Sequence, residues 1–395
     1  MTVNGHWILP QGIEEALPEQ AASLECLRRD LLDLYASWGY EMVMPPFIDH
    51  IESLLTGTGR DLDLQTFKLV DQLSGRTLGI RADMTPQAAR IDAHQLNREV
   101  PTRLCYIGTV LHTRSDGFGS SRSPLQVGAE LYGHAGVESD VEILDLMLST
   151  FESAGVKDVY LDIGNVDIYK NLAKQAGLTE DDEIRLFELL QQKAVTEIRQ
   201  LVASLSVDAK LAKMIMQLAE LNGDLSIIDR AREKLRQAGP EVMSALDYLE
   251  RVAQAVSLHN KDVKLNLDLA ELHGYHYHTG VVFGAFVPQL GQEIARGGRY
   301  DDIGKIFGRA RPATGFITDL KLLSALGTRD MPMPQKILAP ADENEGLQVE
   351  IDKLRAEGYS VSRMLPGQVD DAAATGCSQK LEQINGQWQL VAIET

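Results

Sequence analysis

The segment Leu125-Gln-Val-Gly-Ala-Glu-Leu-Tyr-Gly133 decides the fold that the sequence predicts. Its apolar residues alternate with Gln126, Gly128 and Glu130, which is the period of a β-strand with one apolar face. A second strand-like run, Arg103 to His112, precedes it, and a loop rich in glycine and serine, 114–122, joins the two. The pattern predicts an antiparallel pair that presents Gln126 and Glu130 on one side.

Further helices and strands are predicted on both sides of this pair. Apolar residues at three- and four-residue steps predict helices over 18–39 and 137–154 and a helical insertion over about 167–257. Alternating runs predict strands at 67–70, 77–81, 158–163, 264–269, 280–288, 293–295 and near 313, and the sequence Gly297-Gly-Arg-Tyr-Asp301 is expected to form a turn. The prediction is an α+β fold in which helices flank a sheet.

The run Met331-Pro-Met-Pro334 is expected to be a linker, because two prolines in four residues hold the chain extended. It divides a core over 1–330 from a small C-terminal α/β domain over 331–395. Strands at 336–339, 359–364, 377–384 and 388–393 and a helix at 343–357 are predicted in this domain.

Composition excludes several classes of function. Lys and Arg total 38 against 57 Asp and Glu, so the formal charge is -19 and the surface disfavours a polyanion such as tRNA. The three cysteines, Cys26, Cys105 and Cys377, lie far apart and predict reduced thiols rather than disulfides or metal ligands. The sequence has neither an export signal nor an apolar run of about 18 residues, so a cytoplasmic protein without a membrane span is expected.

Three blocks of sequence resemble the class II aminoacyl-tRNA synthetase core and, within it, the histidyl-tRNA synthetase branch, over about residues 10–326. They are Ile80-Arg-Ala-Asp-Met-Thr-Pro86, the segment Gly108 to Gly133, and Leu272-His-Gly-Tyr-His-Tyr-His-Thr-Gly280 together with Gly297-Gly-Arg-Tyr-Asp301. The resemblance implies an antiparallel sheet flanked by helices and a pocket for histidine. It places Asp83 and Thr85 at the amino group, Gln126 at the carboxylate, and Glu130, Tyr277 and His278 around the imidazole.

Each of these residues also has a plainer interpretation. An acid and a hydroxyl two apart in a strand, such as Asp83 and Thr85, suit an ammonium ligand but also occur at solvated strand ends. Gln126 and Glu130 fit the polar face of an exposed strand equally well. The cluster His273, His276 and His278 has few of the features of a metal site, so no metal is predicted and the histidines are interpreted as pocket or sheet residues.

The departures from the synthetase pattern indicate that adenylation chemistry is lost. Activation of an amino acid by ATP needs fixed cations at the reacting phosphate. The resemblance places His112, His273 and Leu322 where the family has arginines, with Lys321 beside Leu322, Arg114 at a glutamate position and Pro124 at the adenine-stacking aromatic. Each such cation commonly contributes about 3 kcal/mol to a transition state, so no catalytic residue and no cofactor are predicted.

A synthetase-like core without these arginines, followed by a shortened tail, resembles the family of regulatory subunits of ATP phosphoribosyltransferase. The resemblance implies a chain that is not itself an enzyme, binds and activates the short-form catalytic subunit in a hetero-octamer, self-associates as a dimer, and conveys feedback inhibition by L-histidine without binding tRNA. Two alternatives remain open. One is an active histidyl-tRNA synthetase, and the other is a synthetase-like ligase that adenylates a different acid.

Overall fold

A computed structural model of the chain describes residues 8–55, 60–115, 121–205, 207–270, 277–329, 335–368 and 375–393. The chain divides into two compact units, Met1–Arg329 and Asp330–Thr395. The predicted linker 331–334, the centre of the predicted loop 114–122, and both His273 and His276 lie outside the described residues.

The strands and helices of the described residues are numbered in chain order. The strands are β1 (Glu41–Met42), β2 (Ile48–His50), β3 (Phe67–Val70), β4 (Thr77–Ile80), β5 (Thr102–Thr109), β6 (Leu125–Tyr132), β7 (Tyr160–Asn165), β8 (Asn222–Gly223), β9 (Lys264–Asp268), β10 (Val281–Phe286), β11 (Ala295–Arg299), β12 (Ala313–Asp319), β13 (Lys336–Ala339), β14 (Ser360–Arg363), β15 (Gln379–Ile384) and β16 (Gln387–Ala392). The helices are α1 (Pro18–Ser37), α2 (Ile51–Leu55), α3 (Arg60–Gln65), α4 (Thr85–Arg90), α5 (Val137–Ala154), α6 (Val166–Ala176), α7 (Glu180–Gln191), α8 (Val195–Ser204), α9 (Ala209–Leu218), α10 (Ile227–Lys234), α11 (Pro240–His259), α12 (Ile303–Ile306), α13 (Leu320–Leu326) and α14 (Glu345–Ala356), and α4 continues into a π-helical turn at Ile91–Leu96.

A nine-stranded sheet forms the centre of the first unit, in the order β1-β5-β6-β12-β11-β10-β7-β9-β8. Its middle strands pair antiparallel, while β1 with β5 and β7 with β9 are parallel. A three-stranded sheet, β2-β4-β3, stands apart from it, and the second unit carries a four-stranded sheet, β14-β13-β15-β16. The α+β fold class is confirmed, with parallel pairings added to the expected antiparallel sheet.

Helices cover one face of the central sheet. Side chains of α1, α5, α6 and α11 share a single hydrophobic cluster with the strands, and its members include Leu31, Leu144, Phe151, Leu172 and Leu249. The helical insertion, α6 to α11, therefore packs into the same core as the sheet, and its short strand β8 pairs with β9. Burial of this apolar surface is the main stabilising contribution to the unit.

The opposite face of the sheet carries the candidate pocket residues. Strand β6 lies between β5 and β12, so each of its residues has one neighbour on either side. Gln126 lies between Gly108 and Asp319, Gly128 between Tyr106 and Ile317, and Glu130 between Leu104 and Gly315. Residues that face each other across an antiparallel sheet point to the same side, and so do residues two or four apart along a strand. The side chains of Gln126 and Glu130 therefore lie on one face, as predicted.

Two local predictions were wrong. The segment Gly297–Arg299 belongs to strand β11 rather than to a turn. Glycine is needed at position 297 because a Cβ atom there would be 2.2 Å from the carbonyl oxygen of Gly315 and 2.7 Å from the Phe283 ring. The glycine thus permits close strand packing. Asp83 and Thr85 do not share a strand, since Asp83 lies in a loop and Thr85 begins α4, where Pro86 suits the first turn.

None of the helices in the described residues is long and apolar enough to cross a membrane.

Candidate functional site

Glu130 lies at the centre of the site, on β6. Only 1% of its surface is exposed. Its Oε1 accepts a hydrogen bond of 2.7 Å from the Tyr106 hydroxyl, and its Oε2 accepts one from the Tyr300 hydroxyl. Gly315, on the neighbouring strand β12, pairs with Glu130. A Cβ atom built on this glycine would be 1.6 Å from Oε2. The glycine therefore leaves the space in which the carboxyl group lies, and the alternative of an exposed polar strand is wrong.

Burial raises the pKa of Glu130 to about 8. The hydrogen bonds from Tyr300 and Tyr106 act in the opposite direction, because they stabilise the ionised form, and the Asp83 carboxylate raises the pKa further. At pH 7 the carboxyl group is therefore mostly protonated. A neutral carboxyl group can both donate and accept hydrogen bonds, which suits a polar heteroaromatic ring.

Asp83, Thr85 and Gln126 form a second, connected group. Asp83 Oδ1 accepts bonds from the Thr85 amide, at 3.0 Å, and from Gln126 Nε2, at 2.9 Å. The Met84 amide donates to Gln126 Oε1 at 2.9 Å. Both the oxygen and the nitrogen of the Gln126 side-chain amide therefore bind the loop that precedes α4. No described residue donates to Asp83 Oδ2. Asp83 is half-buried, and its Oδ2 could accept a hydrogen bond from a cationic group.

The two groups meet at Thr85. Its hydroxyl oxygen lies 3.0 Å from the Tyr106 hydroxyl, which in turn donates to Glu130. A continuous polar chain, which includes the main-chain amide of Thr85, thus runs from Asp83 to Tyr300 along one face of the sheet. Such a network fixes the positions of its members when each hydrogen-bonding group is satisfied.

Tyr277 and His278, the two remaining predicted site residues, differ in their surroundings. The His278 ring is buried, and its Nδ1 lies 3.0 Å from the carbonyl oxygen of Arg299, to which it donates. Burial raises the pKa of Tyr277 to about 12, the Arg296 charge lowers it, and the carboxylates of Asp83 and Glu130 raise it further. Tyr277 is therefore within electrostatic range of the polar chain, whereas His278 contacts β11.

At the described positions where the family resemblance places an arginine, the side chains of this chain contact the protein itself. His112 is half-buried, and its Nε2 lies 2.9 Å from the carbonyl oxygen of Ala82. Leu322 packs against the main hydrophobic cluster. Lys321, the neighbouring cation, donates from Nζ to the carbonyl oxygen of Ser123 at 2.8 Å. At the other replaced positions, Arg114 is exposed and the carbonyl oxygen of Pro124 accepts from the Val110 amide.

Three residues near Gln126 and Glu130 were not predicted from the sequence. Tyr106 and Tyr300 hold the Glu130 carboxyl group, and Arg81 lies beside Gln126 on the same face of the sheet. Tyr106 shares its face of β5 with Leu104 and Gly108, so the sequence of that strand gives no polar pattern that would have indicated its role. Its partner on β6 is 24 residues away and could be named only once the register was known.

Metal ligands do not gather in the described part of the chain, in which no group of three or more His, Cys, Asp or Glu side chains is placed to hold an ion. His278, the one described member of the H-x-x-H-x-H cluster, directs its ring to the Arg299 carbonyl.

Comparison with known proteins connects this geometry to families. Residues 12–323 match the family model described as histidyl-tRNA synthetase, and residues 334–391 match that of the ATP phosphoribosyltransferase subunit HisZ C-terminal domain. A solved structure from Bacillus halodurans C, described as an ATP phosphoribosyltransferase regulatory subunit/histidyl-tRNA synthetase, superposes with a TM-score of 0.83 at 28% identity, covering 95% of this chain and 97% of that one. Histidyl-tRNA synthetase from Nostoc sp. PCC 7120 shares the fold, with a TM-score of 0.77 at 18% identity over 98% of this chain and 97% of that one.

Fold and site together define a protein of the histidyl-tRNA synthetase class. Relatives described as ATP phosphoribosyltransferase regulatory subunit are 59% identical in Thioalkalivibrio sulfidiphilus, over 96% of this chain and 97% of that one, and 51% identical in Pseudomonas fluorescens strain Pf-5, over the whole of both. The chain belongs to the family of ATP phosphoribosyltransferase regulatory subunits. Membership confirms the predicted regulatory role in histidine biosynthesis and favours it over both synthetase alternatives.

Proposed function

We propose that this chain binds the short-form catalytic subunit of ATP phosphoribosyltransferase, activates it in the first step of histidine biosynthesis, and conveys inhibition by L-histidine. One observation supports this most directly. The polar chain from Asp83 to Glu130 is intact, while His112 and Leu322 occupy positions where an adenylating relative would need arginine. The site thus retains groups for an amino acid and has lost cations for its activation.

In this proposal the amino group of histidine binds Asp83 Oδ2 and Thr85, the carboxylate lies towards Gln126, and the imidazole lies by Glu130 and Tyr277. His278 supports the wall through its bond to Arg299 and contacts the ligand least. The ligand would regulate the catalytic subunit by binding one arrangement of the complex more tightly than another. A ligand with equal affinity for both arrangements would change nothing.

We also propose that the chain forms a dimer, within the hetero-octamer that the family resemblance implies. Large apolar side chains are exposed on the small sheet and the segment before it, namely Met44, Phe47, Ile48, Leu69 and Val70. Exposed apolar side chains of this size, on one small sheet and the segment that leads into it, favour a protein interface. Light scattering after size-exclusion chromatography should give a dimer mass for the chain alone, and a monomer mass would contradict the proposal.

The cytoplasm is the proposed location. Cys26, Cys105 and Cys377 are all free thiols, as expected in a reducing compartment.

The test of the proposed function is an assay of a short-form ATP phosphoribosyltransferase with and without this chain. The rate should rise when the chain is added and fall again when L-histidine is added. An unchanged rate in both conditions would overturn the regulatory function. Exchange of pyrophosphate into ATP in the presence of histidine should stay at background, since robust exchange would indicate an active synthetase.

The pocket is tested separately by Asp83→Asn, which removes the negative charge but keeps the size of the side chain. Inhibition by histidine should need at least about tenfold more ligand, because charge-assisted hydrogen bonds contribute roughly 1.5–3 kcal/mol. Glu152→Gln removes an exposed carboxylate from α5 and serves as the matched control. Activation that persists with unchanged histidine inhibition in Asp83→Asn would place the inhibitory site elsewhere.

A further inference from the structure

Arg81 is a buried cation at the end of β4. Only 7% of its surface is exposed. Its Nε donates to the Thr109 carbonyl at 2.9 Å and its Nη1 to the Pro45 carbonyl at 2.7 Å, and the guanidinium carbon lies 5.6 Å from the centre of the Phe47 ring. These contacts fix the plane and position of the guanidinium group.

The charge of this group is not compensated by any carboxylate in the described residues. Both hydrogen-bond partners are neutral carbonyl groups, and burial, which lowers the pKa of Arg81, is the cause of its shift. A buried charge without a counterion costs free energy, which a bound anion would recover. The third nitrogen, Nη2, donates to no described group.

The position of Nη2 follows from its closeness to Gly108. A Cβ atom built on this glycine would be 2.4 Å from Nη2 and 3.3 Å from Met84 Sδ. Gly108 pairs with Gln126 across β5 and β6, so a Cβ atom there would point to the same side as the Gln126 side chain. Nη2 therefore lies on the face of the sheet that carries the polar chain, beside the residue that holds Asp83.

We propose that Arg81 binds the carboxylate of the amino-acid ligand through Nη2. Asp83 Oδ2 and Arg81 Nη2 then offer one acceptor and one donor of opposite charge, both near Gln126, and a zwitterionic α-amino acid requires such a pair. The inference rests on the proposed function for the presence of an amino acid in this site. It adds a ligand contact and a source of specificity, namely discrimination against amines that lack the carboxylate.

The test compares two ligands that differ only in that group. Calorimetric titration of the full chain with L-histidine and with histamine should give tighter binding of histidine, by roughly 10- to 100-fold. In Arg81→Gln the dissociation constant for histidine should rise by about the same factor, while that for histamine should change less than about twofold. A purely structural role would weaken both ligands equally, and equal weakening would overturn the assignment.

Arg122→Gln is the matched control, because Arg122 also donates to two backbone carbonyls, those of His112 and Gln11, and also lies over a phenylalanine ring. It should leave the ratio of the two affinities unchanged. If Arg81→Gln does not fold, Arg81→Lys retains the charge without the planar fork and should weaken histidine selectively. Histidine binding that survives both Arg81 variants overturns this assignment alone, whereas failure of the wild-type chain to bind histidine overturns the proposed pocket as well.

Discussion

The carboxyl group of Glu130 lies in an environment that penalises its ionisation. Two tyrosine hydroxyls donate to it, yet burial outweighs them and raises its pKa from the ordinary 4.5 to about 8. Between these pH values the folded chain holds a proton that the unfolded chain has released. Since stability falls with pH wherever the folded state binds more protons, Glu130 lowers the free energy of unfolding as pH rises from about 4.5 to 8.

Glu130→Gln should remove this dependence, because an amide of nearly the same shape does not titrate. From pH 5 to pH 9 the wild type should lose free energy of unfolding that the variant keeps. We expect the variant to gain on the wild type by a few kcal/mol, in order of magnitude, over this range. Urea unfolding at several pH values measures it. Glu152→Gln, at an exposed site, should follow the wild-type curve, and a Glu130→Gln curve parallel to the wild type would contradict the assigned pKa.

Single residues also mark where prediction from sequence ended at the site. The faces of Gln126 and Glu130 followed from the strand period, which needs no tertiary information. The contact of Tyr300 with Glu130 joins positions 170 residues apart, and the bond of Gln126 to Asp83 joins positions 43 apart. Such contacts depend on sheet register and loop conformation, which the local sequence does not specify.

At the scale of elements, prediction was most accurate where the period was long and regular. Strand β6 and helix α5 have the bounds that the sequence predicts, Leu125–Tyr132 and Val137–Ala154. The strand predicted at 293–295 was ended at the residue where β11 begins, Ala295, because two adjacent glycines usually indicate a turn. In the folded chain Gly297 instead admits the Phe283 ring and the Gly315 carbonyl, and this reason is tertiary.

Gly315 on β12 lies directly against the Glu130 carboxyl group, and this close contact makes it sensitive to substitution. In Gly315→Ala the new methyl group would overlap Glu130 Oε2, at 1.6 Å, and the Ala129 carbonyl oxygen, at 2.8 Å. Overpacking of this kind typically costs about 1–3 kcal/mol, and we expect a loss at the upper end of that range or beyond it. Thermal and urea unfolding measure the loss.

A double-variant cycle identifies the cause of that loss. In a Glu130→Ala background the same Gly315→Ala change should cost less, since the carboxyl group is gone, but should still cost something, because the Ala129 carbonyl remains. Gly291→Ala is the control, as a Cβ atom there meets no heavy atom within 4 Å, and it should change stability by no more than about 0.5 kcal/mol. Equal costs in the two backgrounds would show that the side chain of Glu130 does not occupy the space above Gly315.

For the chain taken as one body, the balance of charge bears on nucleic-acid binding in a way that the fold does not. The fold is shared with histidyl-tRNA synthetase of Nostoc sp. PCC 7120, so architecture alone cannot distinguish the two activities. The formal charge of -19 disfavours tRNA, because binding of a polyanion draws most of its free energy from cations that neutralise phosphates and release counterions.

We therefore expect no retention of tRNA by this chain at micromolar concentration in about 150 mM salt, in a filter-binding assay with an active histidyl-tRNA synthetase as the positive control. Lowering the salt to about 50 mM should strengthen tRNA binding by the control, since each phosphate contact contributes to the salt dependence, and should leave this chain unbound. Binding by this chain that grows steeply as salt is lowered would reveal a local basic surface that its net charge conceals. That outcome would remove the electrostatic argument against tRNA, while the absence of arginine at 112 and 322 would still oppose adenylation.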